Sequence, residues 1–191
     1  MSNFIKYGRK KSFDDFLSLC ILNPCDDFNL LEVGSIRGEN QEISNGNSTM
    51  LFSYFSKLKN INFYSVDISI DAFNFAKGKL EENNLINYCN LINDDIFNYI
   101  KDINYKINAL YVDGWDYHLG VEHHSEQETL KFIEKIYEKL SDNCIILFDD
   151  ILDTNFNGKG KYAIPFLLLK GYDYRYYKET NQVLLIKKWN K

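Results

Sequence analysis

Two stretches of this chain end an apolar run in carboxylates, Tyr111-Val112-Asp113-Gly114-Trp115-Asp116 and Leu147-Phe148-Asp149-Asp150. If these runs are adjacent strands, Asp113, Asp149 and Asp150 come together, and their like charges repel unless a cation joins them. Carboxylate oxygens are the donors that Mg²⁺, Mn²⁺ or Ca²⁺ prefer, so a divalent metal site is the chemistry this set suggests. One acidic residue after a strand is commonly a loop or cap residue, so the expectation rests on the three together.

Other strand-end positions offer different chemistry. Ser65-Val66-Asp67-Ile68 places a carboxylate where it can accept both hydroxyls of a ribose, or cap the following helix. In Asn93-Asp94-Asp95-Ile96 the acidic pair reads first as a helix cap. Leu31-Glu32-Val33-Gly34-Ser35-Ile36-Arg37-Gly38 leads into a polar stretch at 39–46, and then Asn47-Ser48-Thr49 opens a helix. Glycines there let backbone approach a ligand, and a helix N-terminus favours carboxylate or phosphate. The middle glycine of G-x-G-x-x-G is missing, which weakens a dinucleotide reading. His118, His123 and His124 crowd the next loop, and His118 stands nearest the acidic strand end, where a neutral imidazole can take a substrate proton. Trp115 and Tyr117 stand where a substrate wall would be, and Lys159 and Lys161 where an anionic substrate would be held, although exposed lysines usually bind nothing specific.

These positions need a scaffold, and the pattern supplies one. Short apolar runs at 28–33, 62–66, 88–92, 109–112 and 144–148 alternate with segments of helical spacing at 48–58, 71–83, 95–101 and 126–140. That alternation predicts a parallel sheet covered by helices. Ser125-Glu126-Gln127-Glu128 reads as a capping box for the last of these helices. A further helix over 162–170 stops at Gly171, and the runs 172–177 and 182–188, four residues apart, predict an antiparallel hairpin. In an open α/β sheet, ligands bind outside the carboxyl ends of the strands near the point where strand order reverses.

Composition narrows the function classes. The chain has 191 residues, 45% hydrophobic and 16% aromatic, enough for one continuous core. A formal charge of −5 without a long basic run gives no footprint for nucleic acid. Cys20, Cys25, Cys89 and Cys144 form no C-x-x-C pair and suit reduced thiols in a cytoplasmic protein. The apolar stretch 16–22 is preceded by Asp14 and Asp15 and reads as an amphipathic helix, not a signal peptide, and no apolar run is long enough to cross a membrane.

The set Glu32-Val33-Gly34-Ser35, Val66-Asp67, Asp94-Asp95, Val112-Asp113-Gly114 and Phe148-Asp149-Asp150, followed by a terminal hairpin, resembles class I S-adenosylmethionine (SAM)-dependent methyltransferases. It is most similar to the metal-dependent small-molecule O-methyltransferases. The likeness covers roughly 28–188 and includes a Gly-Lys-Gly before the following helix, here Gly158-Lys159-Gly160. It implies a Rossmann-like, mostly parallel sheet with helices on both faces and a C-terminal antiparallel hairpin, in a methyltransferase domain over 28–191 on which the N-terminal helical segment 1–27 is expected to pack. It also implies that Glu32, Gly34 and Ser35 lie under the methionine part of SAM, that Asp67 with Ile68 meets the ribose, and that Asp95 and Asp94 sit near the adenine. Asp113, Asp149 and Asp150 fall on the family's metal ligands, and Asp116 stands where the catechol enzymes carry a catalytic lysine. Asp116 and His118 are therefore the candidate bases. A departure is the 33-residue separation of Gly34 and Asp67, against about 20 in a compact nucleotide-binding unit, which makes 39–46 an insertion suited to a lid or substrate loop. The expected reaction is methyl transfer to a hydroxyl of a sugar, natural product or phosphorylated small molecule, assisted by Mg²⁺, Mn²⁺ or Ca²⁺, with no nucleic acid or membrane partner and compatibly with a homodimer. The rival readings are a Mg²⁺-dependent phosphohydrolase using the same acidic cluster and a non-catalytic SAM-binding module.

Overall fold

The computed structural model describes residues 10–23, 25–38, 47–116 and 124–187. They form a seven-stranded sheet in the order β3-β2-β1-β4-β5-β7-β6. The strands are β1 (Asn29–Val33), β2 (Asn62–Asp67), β3 (Asn90–Asn93), β4 (Ile107–Val112), β5 (Leu140–Phe148), β6 (Tyr172–Tyr177) and β7 (Gln182–Lys187). Strands β1 to β5 run parallel, whereas β7 pairs antiparallel with both β5 and β6. The sheet is thus mostly parallel and Rossmann-like, with a C-terminal antiparallel hairpin.

Burial of both faces explains the short, continuous apolar runs. Along β4, Ala109 and Tyr111 join one core while Leu110 and Val112 join the other, and β5 repeats the alternation with Ile145 and Leu147 against Ile146 and Phe148. Helices α1 (Lys10–Leu22), α2 (Ser48–Lys59) and α3 (Ile70–Glu82) cover the Tyr111 face. Helices α4 (Ile96–Asp102), α5 (His124–Ile136) and α6 (Ala163–Leu169) cover the Val112 face.

Several element boundaries differ from the sequence pattern, among them the start of α5 at His124, which puts Ser125 inside the helix and not at its cap. The helical spacing expected over 126–140 ends at Ile136, and after a 3-10 turn at Tyr137–Lys139 the residue Leu140 opens β5. Leu140 pairs with Ile107, so sheet pairing overrides the helical period there. The strand expected at 88–92 begins at Asn90, because Leu85 and Tyr88 are held in a 3-10 turn by a 2.9 Å backbone hydrogen bond. Lys188 and the insertion at 39–46 lie outside the described residues. All four cysteines are free, with Cys20, Cys89 and Cys144 buried and Cys25 exposed. Among the described residues, no helix is long and apolar enough to cross a membrane.

Candidate active site

Strand order reverses between β1 and β4, since β1 leads to β2 and β3 on one side and β4 leads to β5 on the other. The turn after β1 is pressed onto β4 at this point. Gly34 has φ +91°, and a side chain there would stand 2.7 Å from the Asp113 carbonyl oxygen, so only glycine fits. The turn is then held from both sides. Gly34 N–H donates to the Val66 carbonyl at 2.9 Å, Ser35 N–H to Asp67 Oδ2 at 2.8 Å, and Ile36 N–H to Thr49 Oγ1 at 3.1 Å. Thr49 passes its own hydrogen to Glu32 Oε2 at 2.8 Å, and Ser65 adds a second hydroxyl at 2.6 Å. Glu32 is therefore a fully buried tie between β1, β2 and the first turn of α2, beneath the turn it was expected to serve directly. Its Oε1 and the buried Ser35 Oγ have no partner among the described residues.

A cavity of about 440 Å³ opens over these strand ends, lined by Gly34, Asp67, Ile68, Asp94, Asp95 and Trp115 among others. Asp67 is nearly buried, and its second oxygen accepts from Ser69 N–H at 2.8 Å. Each oxygen has one backbone bond and keeps acceptor capacity for a ligand. Ile68 is 71% exposed, an apolar residue placed at the rim beside polar neighbours. Asp95 caps α4 by accepting from Phe97 N–H at 2.7 Å, and Asp94 accepts from Asp95 N–H at 2.7 Å, so the capping role holds while both line the cavity. At the mouth, Trp115 packs between Phe97 and Phe132, and Arg37 Nη1 donates to both oxygens of Asp116 at 2.8 Å.

Residues 43–151, more than half of the chain, match the family of the methyltransferase domain. The chain belongs to that family. Its fold is the class I fold of the SAM-dependent methyltransferases. Solved structures agree in fold. A candidate caffeoyl-CoA O-methyltransferase from Staphylococcus aureus is similar at TM-score 0.68 with 16% identity, over 98% of this chain and 88% of that one. The O-methyltransferase TomG from Streptomyces achromogenes, in complex with SAM, is similar at TM-score 0.57 with 9% identity, over 98% and 93%. An rRNA methylase from Streptococcus thermophilus is similar at TM-score 0.59 with 20% identity, over 96% and 98%.

In this methyltransferase the carboxylates expected to hold a metal are arranged otherwise. Asp113 and Asp150 do converge, but on the ammonium of Lys159, whose Nζ lies 2.7 Å from Asp113 Oδ1 and 2.9 Å from Asp150 Oδ2. Asp149 joins this cluster through Tyr111, whose Oη donates to its Oδ2 at 2.8 Å and lies 3.4 Å from Asp113 Oδ2, while Asp150 N–H donates to its Oδ1 at 2.9 Å. No group of three metal-ligating side chains forms among the described residues. The donor set does not fit a divalent ion, because a cation already sits between the two carboxylates that meet. Lys159, expected at the surface, is 1% exposed. Burial alone would lower its affinity for the proton, but the charges of Asp113, Asp150 and Asp149 hold the ammonium above the ordinary lysine range.

Of the candidate bases, Asp116 is at the mouth and engaged by Arg37, while His118 lies outside the described residues, as do Tyr117 and His123. His124 is exposed at the start of α5. Lys161 reaches Glu126 at 3.7 Å. Sequence reasoning missed the site roles of Arg37, Tyr111 and Lys159. Arg37 lies between two glycines of a ligand-facing turn, which was the available signal. Tyr111 reads only as a strand residue, and nothing local marks its hydroxyl as a carboxylate partner.

Proposed function

We propose that this methyltransferase binds SAM in the strand-end cavity and transfers the methyl group to a hydroxyl of a small molecule. The observation that carries this reading is the pairing, at the reversal of strand order, of a glycine turn too tight for any side chain with a nearly buried carboxylate at the next strand end. The residues present fit the cofactor: the cavity volume is within the range of small-molecule sites, and the Asp67 carboxylate on its wall keeps acceptor capacity for hydroxyls. When bound, SAM supplies an electrophilic methyl group on a sulfonium. Gly34 and Ser35 line its methionine end, Asp67 accepts the ribose hydroxyls, and Ile68, Asp94 and Asp95 border the adenine.

The chain's remaining task is orientation, because in-line displacement needs the acceptor oxygen held about 3 Å from the carbon it attacks. Trp115 forms a wall of the acceptor space. Asp116, fixed across the mouth by Arg37, takes up the hydroxyl proton. A small acceptor is supported by the net charge of −5 and by O-methyltransferases among the structural neighbours. A phosphohydrolase using Asp113, Asp149 and Asp150 would need the divalent ion that this donor set does not fit.

Titration calorimetry with SAM is the direct test. Heat of binding is expected from the intact chain, and Asp67→Asn should weaken it about tenfold or more, ~1.5 kcal/mol, in a chain that still melts cooperatively although at a lower temperature, because one backbone N–H then loses its acceptor. Release of S-adenosylhomocysteine should then follow on adding small hydroxyl acceptors and not on adding rRNA. No heat with SAM at about 1 mM would sink the reading.

A further inference from the structure

The segment from Asp150 to Gly160 is built around one inward-pointing side chain. Asp150 has φ +54°, a left-handed conformation that a non-glycine residue adopts at a cost. Its carbonyl accepts from Lys159 N–H at 3.3 Å, and Ile151 bridges Gly158. Gly158 has φ +101°, and a side chain there would stand 2.0 Å from the Asp150 carbonyl oxygen. One at Gly160 would stand 2.4 Å from Ile164 and 2.6 Å from Ile151. The loop between is cross-tied by Asp153, which accepts from the backbone of Asn155 at 2.9 Å and from the Asn157 side-chain amide at 2.7 Å. The two glycines flanking Lys159 thus permit a close crossing that drives the lysine inward, where Nζ meets the Asp113 carbonyl at 3.3 Å as well as the two carboxylates. The ammonium thus donates to two oxygens of Asp113 and is ion-paired with Asp150 Oδ2, so its charge is met on both sides.

A buried charge is costly unless it is paired, so a loop that contains a left-handed aspartate and an obligatory glycine, Gly158, in order to bury a lysine needs a reason. We infer that Lys159 is the resident cation of the strand-end carboxylates, standing where a divalent ion would otherwise bind, and that this methyltransferase works without a metal. Lys159 is a positioning residue. It holds Asp113, whose carbonyl abuts Gly34 in the cofactor cradle, and Asp150, at the turn after β5. The neighbouring Asp149 is oriented by Tyr111 and the Asp150 N–H, and its charge adds to the field that keeps Lys159 protonated.

The consequence for function rests on the methyltransferase reading, but the test uses neither cofactor nor acceptor, so the two can fail separately. Mn²⁺ is titrated into the full chain and followed by the loss of the free-ion paramagnetic resonance signal. The wild type should bind none. Lys159→Ala leaves Asp113 and Asp150 without their cation and should take up Mn²⁺ at least ~10-fold more tightly than the wild type, with a rise in melting temperature on adding the ion. Lys159→Arg, which keeps the charge, should stay silent, and Asp113→Asn placed on Lys159→Ala should abolish the gain. If Lys159→Ala does not fold, Lys159→Gln takes its place. Mn²⁺ bound by the wild type and lost in Asp150→Asn overturns the inference, and so does a folded, charge-removed variant that gains no affinity.

Discussion

Two acidic side chains beside the same turn show how differently one functional group can be used. Asp67 is solvated by backbone amides and faces the cavity. Glu32 is completely buried, and burial pushes its carboxyl up to about 7 against the opposing hydroxyls of Ser65 and Thr49, with the Asp113 charge adding to the rise. An acid raised by folding stabilises the fold through its protonated form. That contribution is complete below its ordinary 4.5 and is lost as pH climbs through about 7. The loss is on the order of 3 kcal/mol. Glu32→Gln keeps an acceptor oxygen for the two hydroxyls and removes the titration. Denaturant unfolding at about pH 5 and about pH 8 should show the wild type losing more stability than the variant, and parallel losses would refute the role of this carboxyl.

At the scale of elements, the close approach of the β1 turn to β4 makes one glycine far more demanding than others. Gly34→Ala forces a methyl group within 2.7 Å of the Asp113 carbonyl at a positive φ, so the turn must move. A loss of about 1–3 kcal/mol is expected, together with weaker SAM binding, because the displaced backbone is the cradle itself. Gly78, inside α3, has nothing within 4 Å of an added methyl group. Gly78→Ala should instead gain about 0.5–1 kcal/mol from helix propensity. Urea unfolding of the pair checks both signs. Equal effects would mean that crowding at the strand crossing does not govern this turn.

Across the whole molecule, α1 is structurally continuous with the rest of the fold although it precedes the first strand. Phe13, Phe16, Leu17 and Cys20 are buried in the core on the Tyr111 face, and Asp15 receives hydrogen bonds from Arg175 and Tyr177 of β6. The Phe13 and Phe52 rings each lie 5.5 Å from the Tyr111 ring. The N-terminal helix thus braces the tyrosine whose hydroxyl orients Asp149. Phe13→Ala should cost about 3–5 kcal/mol. A chain starting at Phe28 should melt without a cooperative transition in calorimetry, and a sharp transition in that truncated chain would show that 28–191 folds alone.

Local pattern was enough for the scaffold. Apolar runs buried on both faces, helical spacing between them and two strand-like runs around a short turn each reflect contacts close in sequence or a period of the backbone itself, so the parallel sheet and the terminal hairpin were legible. The positions of Gly34, Asp67 and Asp113 at strand ends were legible for the same reason, since a strand's end shows in its composition. Lys159 was not. Between two glycines it reads as an exposed turn residue, and only the packing of the loop after β5 against β4 brings it to Asp113, 46 positions away, and buries it. Whether three carboxylates gather around a metal or two of them close on an ammonium depends on where a distant side chain ends up. Composition and spacing named the charges, and the tertiary structure decided which charge neutralises them.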